Sequence, residues 1–132
     1  MPEINYLAVL AAAVSAFILG AVWYAPPVFG RAWQRETGLT DERLKGSNKA
    51  LIFGGSFVLT LAASWMFAMF LGPKPAFGFA IGAGFAAGVF WVATSFGVNY
   101  LFELKSLRLF FINAGYHAAQ FTIIGAILGL WH

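Results

Sequence analysis

Residues 75–102 read PAFGFAIGAGFAAGVFWVATSFGVNYLF, twenty-eight consecutive positions without an Asp, Glu, Lys or Arg. A helix needs only about 20 apolar residues to cross roughly 30 Å of hydrocarbon. Three further runs share this property: residues 4–30, 50–73 and 109–132. Together the four cover 103 of the 132 residues. The whole chain is 61% hydrophobic and 10% charged, against roughly 45–50% and about 25% in soluble domains. So few charges cannot clothe a water-soluble surface, which excludes a soluble enzyme, a nucleic-acid-binding domain and a secreted disulfide scaffold. Irregular backbone cannot face lipid, and the alternating pattern of a barrel strand is missing. The reading is therefore an all-α polytopic membrane protein with one domain, residues 1–132. It has four transmembrane helices in an antiparallel bundle, at about 4–25, 50–72, 76–102 and 109–131, plus a short interfacial helix in the loop 26–49.

The formal net charge of +3 reports orientation here rather than an affinity for nucleic acid, because the cations flank apolar spans. The first loop carries Arg31, Arg35, Arg43, Lys45 and Lys49, and residues 103–108 carry Lys105 and Arg108; only Lys74 lies at the opposite end. The positive-inside rule places loops 26–49 and 103–108 in the cytoplasm and both termini outside, in a bacterial inner membrane. Tyr6 and Trp131 then mark the outer interface, and Trp23, Tyr24, Trp33 and Tyr100 the inner one. The first six residues hold Glu3 and no Lys or Arg, which argues against a signal peptide. No cysteine is present, so disulfides, thiol redox chemistry and Cys-ligated metals fall away.

Local signals divide the chain further. Pro26-Pro27 ends the first span. Residues 71–75, Leu-Gly-Pro-Lys-Pro, make the second and third spans a hairpin. Val28, Phe29, Ala32 and Trp33 interleave with Arg31, Gln34 and Arg35, a pattern for a helix lying in the membrane interface. Thr40 before Asp41 and Glu42 predicts a second short helix, which Gly46-Ser47-Asn48 should end.

Gly20-Ala21-Val22-Trp23-Tyr24-Ala25-Pro26 followed by Phe29-Gly30 and Trp33 resembles the signature of a family of small bacterial membrane proteins. That family is catalogued as domain-of-unknown-function family seventeen-sixty-one, with a pattern near G-x-x-W-Y-[SA]-P, a short gap, then F-G-x-x-W. The resemblance extends over essentially the whole chain and implies four membrane helices. It carries no activity, cofactor or catalytic residue with it. Small multidrug transporters share the size and helix count, but depend on a glutamate within the first helix, and residues 4–30 contain none. The Trp23–Trp33 segment itself reads as an interfacial anchor or, alternatively, as a cytoplasmic lid or docking edge.

Polar residues inside a membrane are costly, which makes their positions informative. At 100° per residue Asn113, Tyr116, His117 and Gln120 share one side of the fourth span, and Gly84, Gly88, Ser95 and Asn99 form a stripe on the third. Ser56, Thr60 and Ser64 align on the second. At about 1.5 Å per residue, Asn99 and Asn113 lie about 5 Å inside the cytoplasmic boundary. Ser95, Asn99, Asn113, Tyr116, His117 and Gln120 are thus a candidate cytoplasm-facing polar pocket, with His117 its one group titrating near neutrality. The plainer alternative is a set of hydrogen bonds between helices.

Gly78/Gly82 and Gly84/Gly88 on the third span and Gly125/Gly129 on the fourth are close-packing pairs, and Ala12, Ala16 and Gly20 line the first. Two glycine faces on one helix suggest that the third span is central and that the protein self-associates. No carboxylate lies within a span, and two histidines, one at position 132, do not make a metal site. The sequence therefore predicts no catalytic, metal or cofactor residues. It predicts a non-enzymatic structural or interaction protein whose partners are membrane lipids and a second copy of itself. The alternative is a channel or carrier for a small solute or ion.

Overall fold

The computed structural model describes residues 3–132. Four long helices occupy the charge-free runs: α1 (Tyr6–Trp23), α4 (Lys49–Leu71), α5 (Phe77–Phe102) and α6 (Leu107–Leu130). Two short ones lie between the first pair, α2 (Arg31–Thr37) and α3 (Asp41–Lys45). No strand occurs among the described residues.

The helices start where side chains can satisfy their first N–H groups. Asn5 Oδ1 accepts from the Ala8 N–H at 3.1 Å, Thr40 Oγ1 from Arg43 at 3.1 Å, Asn48 Oδ1 from Leu51 at 3.0 Å, and Ser106 Oγ from Leu109 at 3.1 Å. α1 stops at Trp23 because Ala25, preceding Pro26, is extended (φ −67°, ψ 146°). Pro26–Gly30 then forms a single wide π turn leading directly into α2, a short helix in the loop where one was expected.

The helices stand in the order α4, α1, α6, α5. α6 packs along α1 on one side and along α5 on the other, while α4 lies on the far side of α1. α4 reaches α6 through Phe67, whose ring stands edge-on to Phe121 at 5.9 Å. The fourth span, not the third, is therefore central. Glycine placement is the physical reason. A Cβ on Gly84 or Gly125 would collide with the backbone of the facing helix, at Phe121 and Ala80 respectively. One on Gly88 would fall 2.7 Å from Ala118 Cα, and one on Gly129 2.9 Å from Ala80 Cβ. These four glycines make one seam in which α5 and α6 touch backbone to backbone. Gly78 and Gly82 have nothing within 4 Å and face away from the bundle.

On the other side of α6, Ala8, Ala12 and Ala16 of α1 are completely buried, packed with Phe67, Ile124 and Leu128. Small side chains on α1 let it approach closely, and the large ones of its neighbours fill the space. The outward surfaces remain apolar, with Leu51, Leu59, Phe90, Trp91 and Phe111 all exposed. That pattern is the one a lipid-facing surface requires.

The third span is not a uniform α-helix. Ala87–Ala93 is π-helical, inserted between α-helical Phe77–Ala86 and Thr94–Phe102. Such a segment adds about one residue to the turn, so everything after it is presented one position late. The stripe expected at Gly84, Gly88, Ser95 and Asn99 consequently becomes Gly84, Gly88, Phe96 and Tyr100. The hydroxyls at the exit of this segment supply extra donors to its carbonyls. Thr94 Oγ1 donates to the Phe90 carbonyl at 2.6 Å and Ser95 Oγ to that of Trp91 at 2.6 Å.

Candidate functional site

The hydrogen-bonding side chains of the bundle gather at the end that carries the basic loops. Asn113 is their centre. Its Oδ1 accepts from Tyr24 Oη at 2.6 Å, and its Nδ2 donates to Tyr100 Oη at 2.7 Å. One amide thus ties the exit of α1 to the end of α5 through α6. Beside it, the indole Nε1 of Trp23 donates to the Ile112 carbonyl at 3.0 Å. The same indole lies over Gly115, where a Cβ would come within 3.1 Å of the ring. One turn along, Tyr116 Oη donates to the Ala16 carbonyl at 3.1 Å, in space left by Gly20, where a Cβ would stand 3.1 Å from that oxygen.

The π turn after α1 completes this clasp. Phe29 packs on Trp23 at 4.9 Å between ring centroids, and Trp33 meets Tyr24 edge-on at 6.0 Å. Gly30 has to be glycine on steric grounds. A Cβ there would run into the Tyr24 carbonyl and the Ala25 backbone, because the turn closes back to bond the Gly30 N–H to the Ala25 carbonyl at 3.0 Å. Residues 20–33 and 112–116 therefore form a joint between the loop and the centre of the bundle. The basic loops are also joined to each other: Ser106 Oγ donates to the Glu36 carboxylate.

Residues 7–129 match the model of the family described as Protein of unknown function (DUF1761). The chain belongs to the DUF1761 family. No curated protein and no solved structure matches it. In this DUF1761 protein each residue of the motif has a physical task in the clasp. Gly20 makes room, Trp23 and Tyr24 bond to α6, Pro26 turns the chain, Phe29 and Trp33 pack on the aromatic pair, and Gly30 permits the turn.

The sequence-derived pocket is only partly brought together. Asn113, Tyr116, His117 and Gln120 cluster on α6, with His117 Nδ1 2.8 Å from Gln120 Oε1 and the imidazole stacked on Phe96 at 5.0 Å. Ser95 and Asn99 turn away. Both are exposed, and with Trp91, Val92 and Phe96 they line a shallow groove of about 270 Å³ on the outer side of α5. The π segment is the cause, since it puts Phe96 and Tyr100 where a regular helix would have put Ser95 and Asn99. On α4, Ser56 is exposed, Thr60 bonds to the Ser56 carbonyl at 2.8 Å, and Ser64 is fully buried with no partner for its hydroxyl.

Tyr100, Phe96 and Gly115 are the site residues that face periodicity does not find. For the facing of Phe96 and Tyr100 the sequence signal is the hydroxyl pair Thr94-Ser95 in mid-span, which can stabilise an irregular turn. Among the described residues, no three His, Asp or Glu side chains could jointly hold a metal ion. A larger cavity, about 370 Å³, lies at the opposite end of the molecule beside Lys74.

Proposed function

We propose that this DUF1761 protein is a non-enzymatic structural and interaction protein of the bacterial inner membrane, acting through association with membrane chains, its own copies first. Loops 26–49 and 103–108 lie in the cytoplasm in this reading, with both termini outside. The observation that carries it is the disposition of the polar and small residues. Asn113, Tyr24, Tyr100, Trp23 and Tyr116 spend their hydrogen bonds on one another or on backbone carbonyls. That consumes the groups a solute path would need and makes the clasp a rigid joint. Small-residue positions Gly54, Gly55, Gly78 and Gly82, by contrast, meet nothing within 4 Å on the outward faces of α4 and α5. Gly78 and Gly82, four apart on one face, let a neighbouring helix approach closely in lipid, where packing replaces the hydrophobic effect as the driving force.

The absence of native cysteine makes a direct test simple. Gly82→Cys in native membranes should give a disulfide-linked dimer on mild oxidation, whereas Phe111→Cys, exposed on α6, should not. A purely monomeric species by native mass spectrometry, with no cross-link from Gly82→Cys or Gly54→Cys, would sink self-association. Solute flux in proteoliposomes that disappears in Asn113→Ala and His117→Ala would instead favour a channel or carrier.

A further inference from the structure

The end of the molecule opposite the clasp contains a cavity of about 370 Å³ between the start of α1, the end of α4, the 72–76 loop and the end of α6. Its apolar lining includes Ile4, Ala68 and Leu71, all partly exposed. Glu3, Lys74, Trp131 and His132 line it too, at helix ends and in the loop. An anionic and a cationic side chain therefore share an apolar cavity at the level where helices leave the membrane. Lys74 is also the one Lys or Arg outside the two basic loops.

The backbone at Lys74 is held in an unfavourable conformation. Its φ is +51°, in the left-handed region that L side chains rarely adopt, and it stands between Pro73 and Pro75. Leu104 has a similar φ of +57°, but a helix end accounts for it. Leu104 directly follows the last turn of α5, and the Lys105 N–H bonds back to the Tyr100 carbonyl at 2.9 Å, the usual left-handed helix stop. α4 ends at Gly72, whose φ of +76° and ψ of −179° form a combination that essentially only glycine adopts. Lys74 comes two residues later, where no helix stop requires it. Strain that the local fold does not require is a pointer to a held functional group. The two prolines restrict the loop that places Lys74 on the cavity wall.

We propose that this cavity is a binding site for a zwitterionic phosphoamine lipid headgroup, with Lys74 pairing the phosphate, Glu3 the ammonium group, and the start of the acyl region resting against Ile4, Ala68 and Leu71. The mixed charge selects a zwitterion over a simple anion, because an anionic headgroup would meet Glu3 as well as Lys74. The apolar wall selects a lipid over a soluble compound bearing the same head, since only the lipid covers it. Trp131, about half exposed, suits the headgroup boundary.

Delipidated full-length protein in mild detergent, titrated with phosphatidylethanolamine or phosphatidylglycerol and read by native mass spectrometry, tests this. The wild type should prefer phosphatidylethanolamine by about fivefold, the scale of one partly exposed charge contact. Lys74→Gly keeps the left-handed backbone without strain and removes the ammonium, so it should lose most binding; Lys74→Arg should retain it. Glu3→Gln should bind both lipids and lose the preference. Equal lipid retention by the wild type, Lys74→Gly and Glu3→Gln overturns the proposal. So does displacement of the lipid by soluble phosphorylethanolamine at matching concentration, which would assign the site to a free phosphoamine. Both exposed positions lie outside the helices, so loss of fold does not confuse the readout.

Discussion

Asn113 shows how a single amide can organise a membrane bundle. It is half-buried on α6 and uses both ends of its side chain, accepting from Tyr24 and donating to Tyr100. Side-chain hydrogen bonds between membrane helices average about 0.6 kcal/mol and reach about 1.7. Tyr24→Phe and Tyr100→Phe should each cost within that range, and Asn113→Ala about the sum, roughly 1–3 kcal/mol. Coupling is the sharper test. Once Asn113 is alanine, Tyr24→Phe should add nothing, because its partner has gone. Reversible unfolding in mixed detergent micelles measures all four variants. A double variant whose loss equals the sum of the single losses would mean that the two side chains act independently and that the clasp is not a unit. His117 has a different setting: its contacts are with Gln120 one turn away and with the rings of Phe96 and Tyr116, so it bonds within α6 rather than across the joint.

At the scale of the element, the π segment Ala87–Ala93 decides which residues of α5 reach α6. It works as a one-residue insertion, and that gives an unusual expectation for mutants. Deleting Phe90, which is 67% exposed, should let the segment relax to a regular α-helix while Phe96 and Tyr100 still face α6. Inserting one alanine after Val89 should push them out of register and break the Tyr100–Asn113 bond. The stability coupling between Tyr100→Phe and Asn113→Ala, measured in each background, reports the register: retained in the deletion and lost in the insertion. The reverse result would mean that the π turn does not set the face.

The same segment marks how far the sequence can be read. Charge-free runs give the four spans, because the cost of burying charge in hydrocarbon is large. Thr40 with Asp41 and Glu42, and Pro26-Pro27, foretell a cap and a helix end, because those signals are local. The face of a helix is an accumulated angle. One extra residue in a turn shifts every later position, and nothing in Ala87–Ala93 beyond the following Thr94-Ser95 pair announces it. Centrality is equally hidden: two glycine pairs on α5 look like two interfaces, but only Gly84/Gly88 meets a partner helix within this chain.

The whole molecule is polarised along the membrane normal. One end carries the two basic loops, joined through Ser106 and Glu36 and bolted to α6 by the clasp. The other carries Lys74 and an open cavity. Seven cations against one is a bias that the translocation machinery reads during insertion, so the chain should enter in a single orientation with the basic loops retained inside. That bias lies in the charge distribution alone and holds whatever the bundle does afterwards. It can be tested on the same cysteine-free background. Arg43→Cys in α3 and Ala76→Cys beside Lys74 are both exposed, so each should be open to a maleimide. A membrane-impermeant maleimide applied to spheroplasts should label Ala76→Cys at once and Arg43→Cys only after the membrane is opened. Labelling of Arg43→Cys alone would invert the protein and place the Lys74 cavity in the inner leaflet. Equal labelling of both sites would mean dual insertion, and copies would then meet in antiparallel as well as parallel pairs. A single orientation leaves only parallel association open, which brings Gly82 of one copy to the same depth as Gly82 of its neighbour and makes the cross-link between them geometrically possible.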